Sequence, residues 1–191
     1  MRDLLEQMAH GPKRCMYCED SLGTDIDHFE PIALAPLRAF DWSNHLLACS
    51  FCNSNAKRQL YPCDGDGNCL LIDPTVDDPA EHLVLLLASG EYDHLTLKGS
   101  ETIRVFDLNR ADLVKGRRSA FVVTRSALIG WHTLWQEGDT NEAAEVAQAL
   151  GESPFAGVRR AMEQLPPSAV VPVMGPPGAA ALQAWRSVQG T

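Results

Sequence analysis

The sequence predicts an α+β fold, in which a zinc-stapled N-terminal core is followed by a mostly α-helical C-terminal portion. Two cysteine pairs, "CMYC" at residues 15–18 and "CSFC" at 49–52, have the spacing of metal-binding knuckles. Apolar segments at residues 82–99 are typical of a strand pair, and helical patterns run from residue 109 to 165. We therefore expect three parts, at residues 1–75, 76–165 and 166–191.

Length and composition limit the class of protein. A chain of 191 residues with 45% hydrophobic content is long enough for one domain with its own core, or for a domain with an appendage. We expect no secretory leader, and the longest apolar run, Leu83 to Ala88, is too short to cross a bilayer. We expect a cytoplasmic protein with no membrane partner. Because the net charge is -9, any contact with nucleic acid should be local or shared with a partner.

The two knuckles predict a structural zinc site. In a reducing compartment, cysteines serve more often as metal ligands or free thiols than as disulfides. A closed tetrahedral site would take four thiolates, from Cys15, Cys18, Cys49 and Cys52. Chance thiols or disulfides remain the alternative, because the 30 residues between the knuckles exceed the commonest zinc-ribbon spacing. Cys63 and Cys69 are spaced wrongly for a knuckle, so we interpret them as bystander thiols, with a redox role as the alternative.

An acid and an imidazole lie next to each other between the knuckles, in "DIDHFEP". Asp27 and His28 reach one point only if their strand bends or ends there, which Pro31 favours. Alone, such a pair is more typical of a surface ion pair or a capped turn. The order of these features along the chain is more informative than any one of them. The first knuckle is followed by Asp27 and His28, and then by Asn44. The second knuckle is followed by Asn53 and Lys57.

In this order, about the first sixty residues resemble the HNH endonucleases. The resemblance implies a ββα-metal (HNH) nuclease core with a four-cysteine zinc site over residues 1–75, and one departure is His45, where the family usually has leucine. The downstream segments "LLIDPTVDDPAEHL", "ETIRVFDLNRADL" and "SPFAGVRRAM" resemble the narrower, PtuB-like group of HNH nucleases from Septu-type anti-phage systems. That second resemblance implies a protein partner such as an SMC/ABC-like ATPase.

The resemblance assigns chemical roles that fit the residue types. Asp27 and Asn53 offer hard oxygen ligands for a catalytic Mg²⁺ or Mn²⁺. His28 would be the general base, since an unperturbed histidine has a pKa near 6.5. Asn44 would brace the loop behind that histidine, so the expected catalytic residues are His28, Asn44 and Asn53.

The segment "SFCNSNAKR" bears on phosphate binding. If it begins a helix, Asn53 and Lys57 lie one turn apart on one face, so Lys57, followed by Arg58, would bind nucleic acid beside the metal. Asn53 capping the helix and a solvated Lys57–Arg58 pair are the alternatives. His45 is interpreted as a partly buried histidine, with a substitute ligand as the alternative.

The helices and strands of the C-terminal portion are predicted from the residues that typically begin or end such elements. Ser89 and Gly90 would separate two strands. Helices should start at an Asn109 N-cap, at Thr140, and at a Ser153 cap with Pro154 in the first turn, the last two ending near Leu150 and Leu165. The Pro/Gly/Ala-rich tail, 166–191, is expected to be a flexible extension, with a short helix presenting Leu182 and Trp185 to a partner as the alternative.

A cluster of basic residues opens the first of these helices. Arg117 and Arg118 are expected to bind nucleic acid, and an equally good interpretation is a solvated helix face. The expected function is metal-dependent endonucleolytic hydrolysis of nucleic acid, with DNA favoured and RNA open, in an anti-phage complex. The alternatives are an RNase acting on transfer RNA and an inactive zinc-containing binding module.

Overall fold

The computed structural model describes residues 1–189 and confirms a mixed α and β fold with mostly helical content. The strands are β1 (Asp25–His28), β2 (His45–Ala48), β3 (Leu83–Leu86) and β4 (Glu91–His94). The helices are α1 (Arg2–Met8), α2 (Leu97–Phe106), α3 (Ala111–Glu137), α4 (Thr140–Glu152), α5 (Ala156–Glu163) and α6 (Pro167–Gln189). A wide, π-type helix over Phe51–Lys57, here the knuckle helix, follows β2, and short 3₁₀ turns occupy Pro36–Phe40, Trp42–Asn44 and Pro79–Glu81.

The first sheet pairs β1 with β2 in antiparallel register, with Asp25 opposite Ala48 and His28 opposite His45. All four residues of β2 are buried, because both faces of this strand are covered. Leu47 packs with Leu5 of α1, while Leu46 joins the main core. The hairpin is therefore held on both sides although it has only two strands.

The second sheet is the strand pair predicted from the sequence. Strand β3 alternates between buried Leu83 and Leu85 and exposed side chains, as expected for a strand with one covered face. The turn into β4 uses Gly90 in a left-handed conformation, with φ +81°, where an added Cβ would lie 2.5 Å from the Val114 carbonyl oxygen. Helix α2 follows, capped by the Thr96 hydroxyl, and was absent from the prediction.

Two predicted helix starts are wrong by one or two residues. Helix α3 begins at Ala111, because the Asn109 side chain is committed elsewhere: it bonds both the backbone N–H and the C=O of Tyr92, each at 2.8 Å. Helix α5 begins at Ala156, because Phe155 adopts a left-handed conformation with φ 59°. Helix α4 starts at Thr140 as predicted and continues through Gly151 to Glu152.

The tail forms helix α6 rather than the flexible extension that its composition predicted. Four apolar side chains, Met174, Ala181, Leu182 and Trp185, are buried. The helix kinks at Gly175, with φ 68°, so Pro176 and Pro177 open its second half, where a missing backbone N–H costs no helical hydrogen bond. Residues 190 and 191 of the predicted tail lie outside the described residues.

One cluster of buried side chains runs through the chain, from the knuckle cysteines through Phe106 to Leu128 and on to Leu182 and Trp185. The N-terminal hairpin thus rests on the helical portion. Within residues 1–189, no helix combines the length and apolar character needed to span a bilayer.

Replacement of Trp185 by alanine tests the packing of α6. The ring is 4% exposed, lies edge-on to Trp131 at 5.0 Å, and donates from its indole nitrogen to Glu163. We expect Trp185→Ala to lower the free energy of unfolding by about 3–5 kcal/mol in urea titrations followed by circular dichroism. Val171→Ala, an exposed change on the same helix, should alter it by less than about 0.5 kcal/mol. Equal, small effects would contradict the docking of α6.

Candidate functional site

The four knuckle cysteines form a cluster that fits a metal ion such as zinc. All four are buried, and their sulfur atoms lie within 4.8 Å of one another, with Cys18 and Cys49 Sγ 4.0 Å apart. A tetrahedral ion with Zn–S bonds of about 2.3 Å places its sulfur ligands roughly 3.8 Å apart, close to this spacing. The cluster therefore needs little movement to close around zinc.

Backbone hydrogen bonds shape both knuckles. The Cys15 N–H donates to the Ser21 carbonyl and the Glu19 N–H to the Cys15 carbonyl, each at 2.9 Å. In the second knuckle, the Cys52 N–H donates to Cys49 Sγ at 3.4 Å. Hydrogen bonding to Cys15 lowers the pKa of the Cys49 thiol to about 7. The thiols share protons among themselves, and a divalent cation would replace those protons.

Cys63 and Cys69 lie outside this cluster. Their backbones pair across an antiparallel bridge, both are free cysteines, and Cys63 is exposed. The metal-binding group found among residues 1–189 takes neither of them.

A second site lies where β1 ends. Asp27, His28 and Asn53 line one pocket of about 140 Å³, which also borders Arg58 and Gln59. Strand β1 supplies the acid and the imidazole, and the knuckle helix supplies the carboxamide. Two neighbouring polar groups of β1 and one from a distant segment thus meet at one small cavity.

Asp27 is buried, 5% exposed, and its charge is balanced inside the protein. Its Oδ2 accepts a hydrogen bond from the Tyr17 hydroxyl at 2.5 Å and lies 2.9 Å from the Lys57 ammonium nitrogen. That ammonium also donates to the His28 backbone carbonyl at 2.7 Å. Both contacts fall on the same carboxylate oxygen, Oδ2.

Lys57 cannot bind a phosphate on the surface, and this part of the prediction is wrong. Its side chain is 0% exposed. The physical reason is the burial of Asp27, because a carboxylate removed from water needs a counter-charge or hydrogen-bond donors nearby. Lys57 thus secures both the acid and the backbone of the adjacent histidine.

Arg58 takes the exposed position next to Lys57. It has a left-handed backbone with φ 52° where the knuckle helix ends, and its Nε donates to the Ser54 carbonyl at 3.2 Å. As a residue of the pocket wall, it is the cation that an anion in the pocket would meet.

His28 is half-buried, and its ring lies 4.7 Å from the ring of His45. The pKa of His28 is lowered, first by burial and then by the neighbouring His45. The imidazole is therefore neutral at neutral pH and able to accept a proton. His45 itself is buried, with Nδ1 2.7 Å from the Asp41 carbonyl oxygen, and it does not line the pocket.

Asn44 is fully buried and closes the loop that follows His28. Its Oδ1 accepts from the Glu30 N–H at 2.7 Å, and its Nδ2 donates to the carbonyls of Glu30 at 3.0 Å and Arg38 at 3.2 Å. These three bonds use the whole carboxamide, so Asn44 acts on the loop and not in the pocket.

Two residues in contact with the site, Asp25 and Tyr17, were not predicted from the sequence. The Asn53 Nδ2 donates to Asp25 Oδ2 at 3.4 Å, which directs the amide oxygen of Asn53 away from that acid. Asp25 could have been found from strand periodicity, since it lies two residues before Asp27 on the same face. Tyr17 carried no such signal, because nothing in "CMYC" links it to the acid of another segment.

The predicted basic surface on α3 is partly wrong. Arg117 is 2% exposed, donates to the carbonyls of Gly90 at 3.0 Å and Leu108 at 2.7 Å, and lies over the Tyr92 ring. It satisfies backbone acceptors in the interior, so it cannot contact nucleic acid. Arg118 is exposed and remains available.

Parts of the chain are similar to two proteins named Septu protein PtuB. The one from Bacillus mycoides is 27% identical over 147 residues, covering 61% of this chain and 49% of the relative. The one from Bacillus thuringiensis is 30% identical over 106 residues, covering 52% of this chain and 38% of the relative. These alignments support a relationship with Septu PtuB proteins, of whose length the chain spans half or less.

No protein-family model matches the chain. No solved structure matches it either.

Zinc content tests the cysteine cluster. We expect about one zinc ion per chain in the wild type, measured by inductively coupled plasma mass spectrometry. Cys15→Ala should lose the ion and unfold the N-terminal part, because closure of the site contributes folding energy. Cys63→Ala, the matched control outside the cluster, should keep both. Unchanged zinc in Cys15→Ala would refute the site.

A second substitution tests the buried ion pair. Lys57→Met keeps most of the side-chain length but leaves Asp27 without its ammonium, so the free energy of unfolding should fall by about 3–5 kcal/mol. Chemical denaturation measures this, with the exposed neighbour Arg58→Met as the control, and the double variant Lys57→Met/Asp27→Asn should recover part of the loss. A loss below about 1 kcal/mol, the range of exposed pairs, would contradict the buried pair.

Proposed function

We propose that this chain is a metal-dependent endonuclease that hydrolyses phosphodiester bonds of nucleic acid, with DNA as the favoured substrate. The observation that carries the proposal is the convergence of Asp27, His28 and Asn53 on one pocket. A carboxylate oxygen, a neutral imidazole and a carboxamide oxygen are the groups that hydrolysis assisted by a divalent ion needs. The order of β1, β2 and knuckle helix also agrees with the ββα-metal arrangement of HNH nucleases.

Asp27 and Asn53 would hold Mg²⁺ or Mn²⁺ through hard oxygen atoms. Bound there, the ion would neutralise charge on the scissile phosphate. Lys57 and Tyr17 keep the Asp27 carboxylate in place by binding its other oxygen. Because these contacts use only one oxygen of Asp27, its other oxygen would be able to bind the ion although the acid is buried.

His28 supplies the general base. Its half-buried ring lies beside the ring of His45, and one of its ring nitrogens takes the proton of the attacking water. Asn44 keeps the loop after His28 closed, so it positions the base without touching substrate. Arg58 contributes a guanidinium to the phosphate from the pocket wall.

The similarity to Septu PtuB proteins supports a role in anti-phage defence. Because the net charge is -9, a second protein would contribute part of the binding to nucleic acid. By the resemblance of its downstream segments, that partner would be an SMC/ABC-like ATPase.

Loss of the base tests the activity. Purified protein, alone and with co-purifying chains, is incubated with plasmid DNA and with RNA across a series of divalent ions, and product ends are mapped. His28→Ala should lower the cutting rate by about 10²- to 10⁴-fold and keep zinc content and fold. His94→Ala, an exposed histidine outside the pocket, should cut like the wild type. Cutting of RNA alone would replace DNA as substrate, and no cutting under any condition would favour an inactive binding module.

A further inference from the structure

Tyr17 occupies a position between the two metal centres of the proposed enzyme. It lies inside the first knuckle, between Cys15 and Cys18, so the cysteine cluster fixes its backbone. Its ring stacks on Phe106, with centroids 4.1 Å apart and planes 24° apart. Phe106 is the last residue of α2 and is fully buried. The tyrosine ring is therefore held from both the zinc side and the helical side.

The Tyr17 hydroxyl makes one directed contact, to Asp27 Oδ2 at 2.5 Å. The second contact to this oxygen comes from Lys57, five residues after Cys52 of the other knuckle. Each knuckle thus sends one donor to the same carboxylate oxygen. Two donors from different directions fix the rotation of the carboxylate plane, and so the place of Oδ1 in the pocket.

We propose that Tyr17 is a positioning residue that orients Asp27 for the catalytic divalent ion and thereby couples the structural zinc cluster to the active site. This inference rests on the proposed function. The hydroxyl contributes no charge to the ion and does not touch substrate. Its effect is on the affinity for the ion, because an unrestrained carboxylate must be ordered again each time the ion binds.

The test is the full-length variant Tyr17→Phe, which keeps the ring on Phe106 and removes only the hydroxyl. Mn²⁺ is titrated into zinc-loaded protein, and free Mn²⁺ is followed by electron paramagnetic resonance. We expect zinc content to stay at its wild-type value and the melting temperature to fall by only a few degrees, because Asp27 loses one of its two donors, while the Mn²⁺ affinity falls about 10-fold. The cutting rate should fall at low Mn²⁺ and recover at saturating Mn²⁺, which a merely damaged fold would not do.

Two controls make the result specific. Tyr92→Phe removes the hydroxyl of a tyrosine packed under Arg117, outside the pocket, and should leave Mn²⁺ affinity unchanged. Asp27→Ala should abolish Mn²⁺ binding at the site. Wild-type affinity in Tyr17→Phe, with Asp27→Ala impaired, would overturn the positioning role and leave the nuclease proposal standing.

Two further outcomes would overturn the inference. Loss of zinc in Tyr17→Phe would do so, because the hydroxyl would then serve the knuckle itself. Wild-type Mn²⁺ binding that is indifferent to Asp27→Ala would overturn both the inference and the proposed function.

Discussion

Four thiols held within 4.8 Å of one another set the geometry of the N-terminal part of this protein. The knuckles lie at the two ends of the segment that carries β1, β2 and the loop between them, so closing the cluster also closes this hairpin. The hairpin has two short strands and would be marginal alone. With the cysteine cluster on one side and α1 and the main core on the others, it supports the polar side chains at its end.

Burial of Asp27 decides how those polar side chains are arranged. A carboxylate that is 5% exposed must find donors, and it takes them from Tyr17 and Lys57. That commitment removes Lys57 from the surface and leaves Arg58, turned by its left-handed backbone, as the cation at the pocket. The burial of Asp27 thus explains why Lys57 is not at the surface and why Arg58 is the basic residue that lines the pocket.

Features that depend on cysteine spacing, or on residues that begin helices and form turns, could be predicted from the sequence. The knuckles, the turn at Gly90 and the helix starting at Thr140 follow from local patterns, and the structure contains each of them. Lys57 and Arg117 were both predicted to contact nucleic acid at the surface, and both are buried. A sequence pattern can place a residue on one side of a helix, but it does not tell whether other parts of the protein pack against that side.

The tail was mispredicted for a related reason. Its prolines and glycines are typical of flexible chains, and only the core it meets and the kink at Gly175 turn it into a packed helix. The position of Tyr17 depends on its contacts with Asp27 and Phe106, which lie in other segments, and a single sequence does not reveal such contacts.

In the proposed enzyme, Asp27, His28 and Asn53 surround a divalent cation at a site separate from the zinc cluster. Anomalous diffraction at the zinc and manganese edges, from a crystal of the zinc-loaded protein soaked in Mn²⁺, would locate both ions. We expect one zinc peak among the four cysteines and one manganese peak in the pocket, with Asp27 Oδ1 and the Asn53 amide oxygen at about 2.0–2.3 Å from the manganese. Manganese bound elsewhere, with that pocket empty at saturating Mn²⁺, would contradict the proposed site.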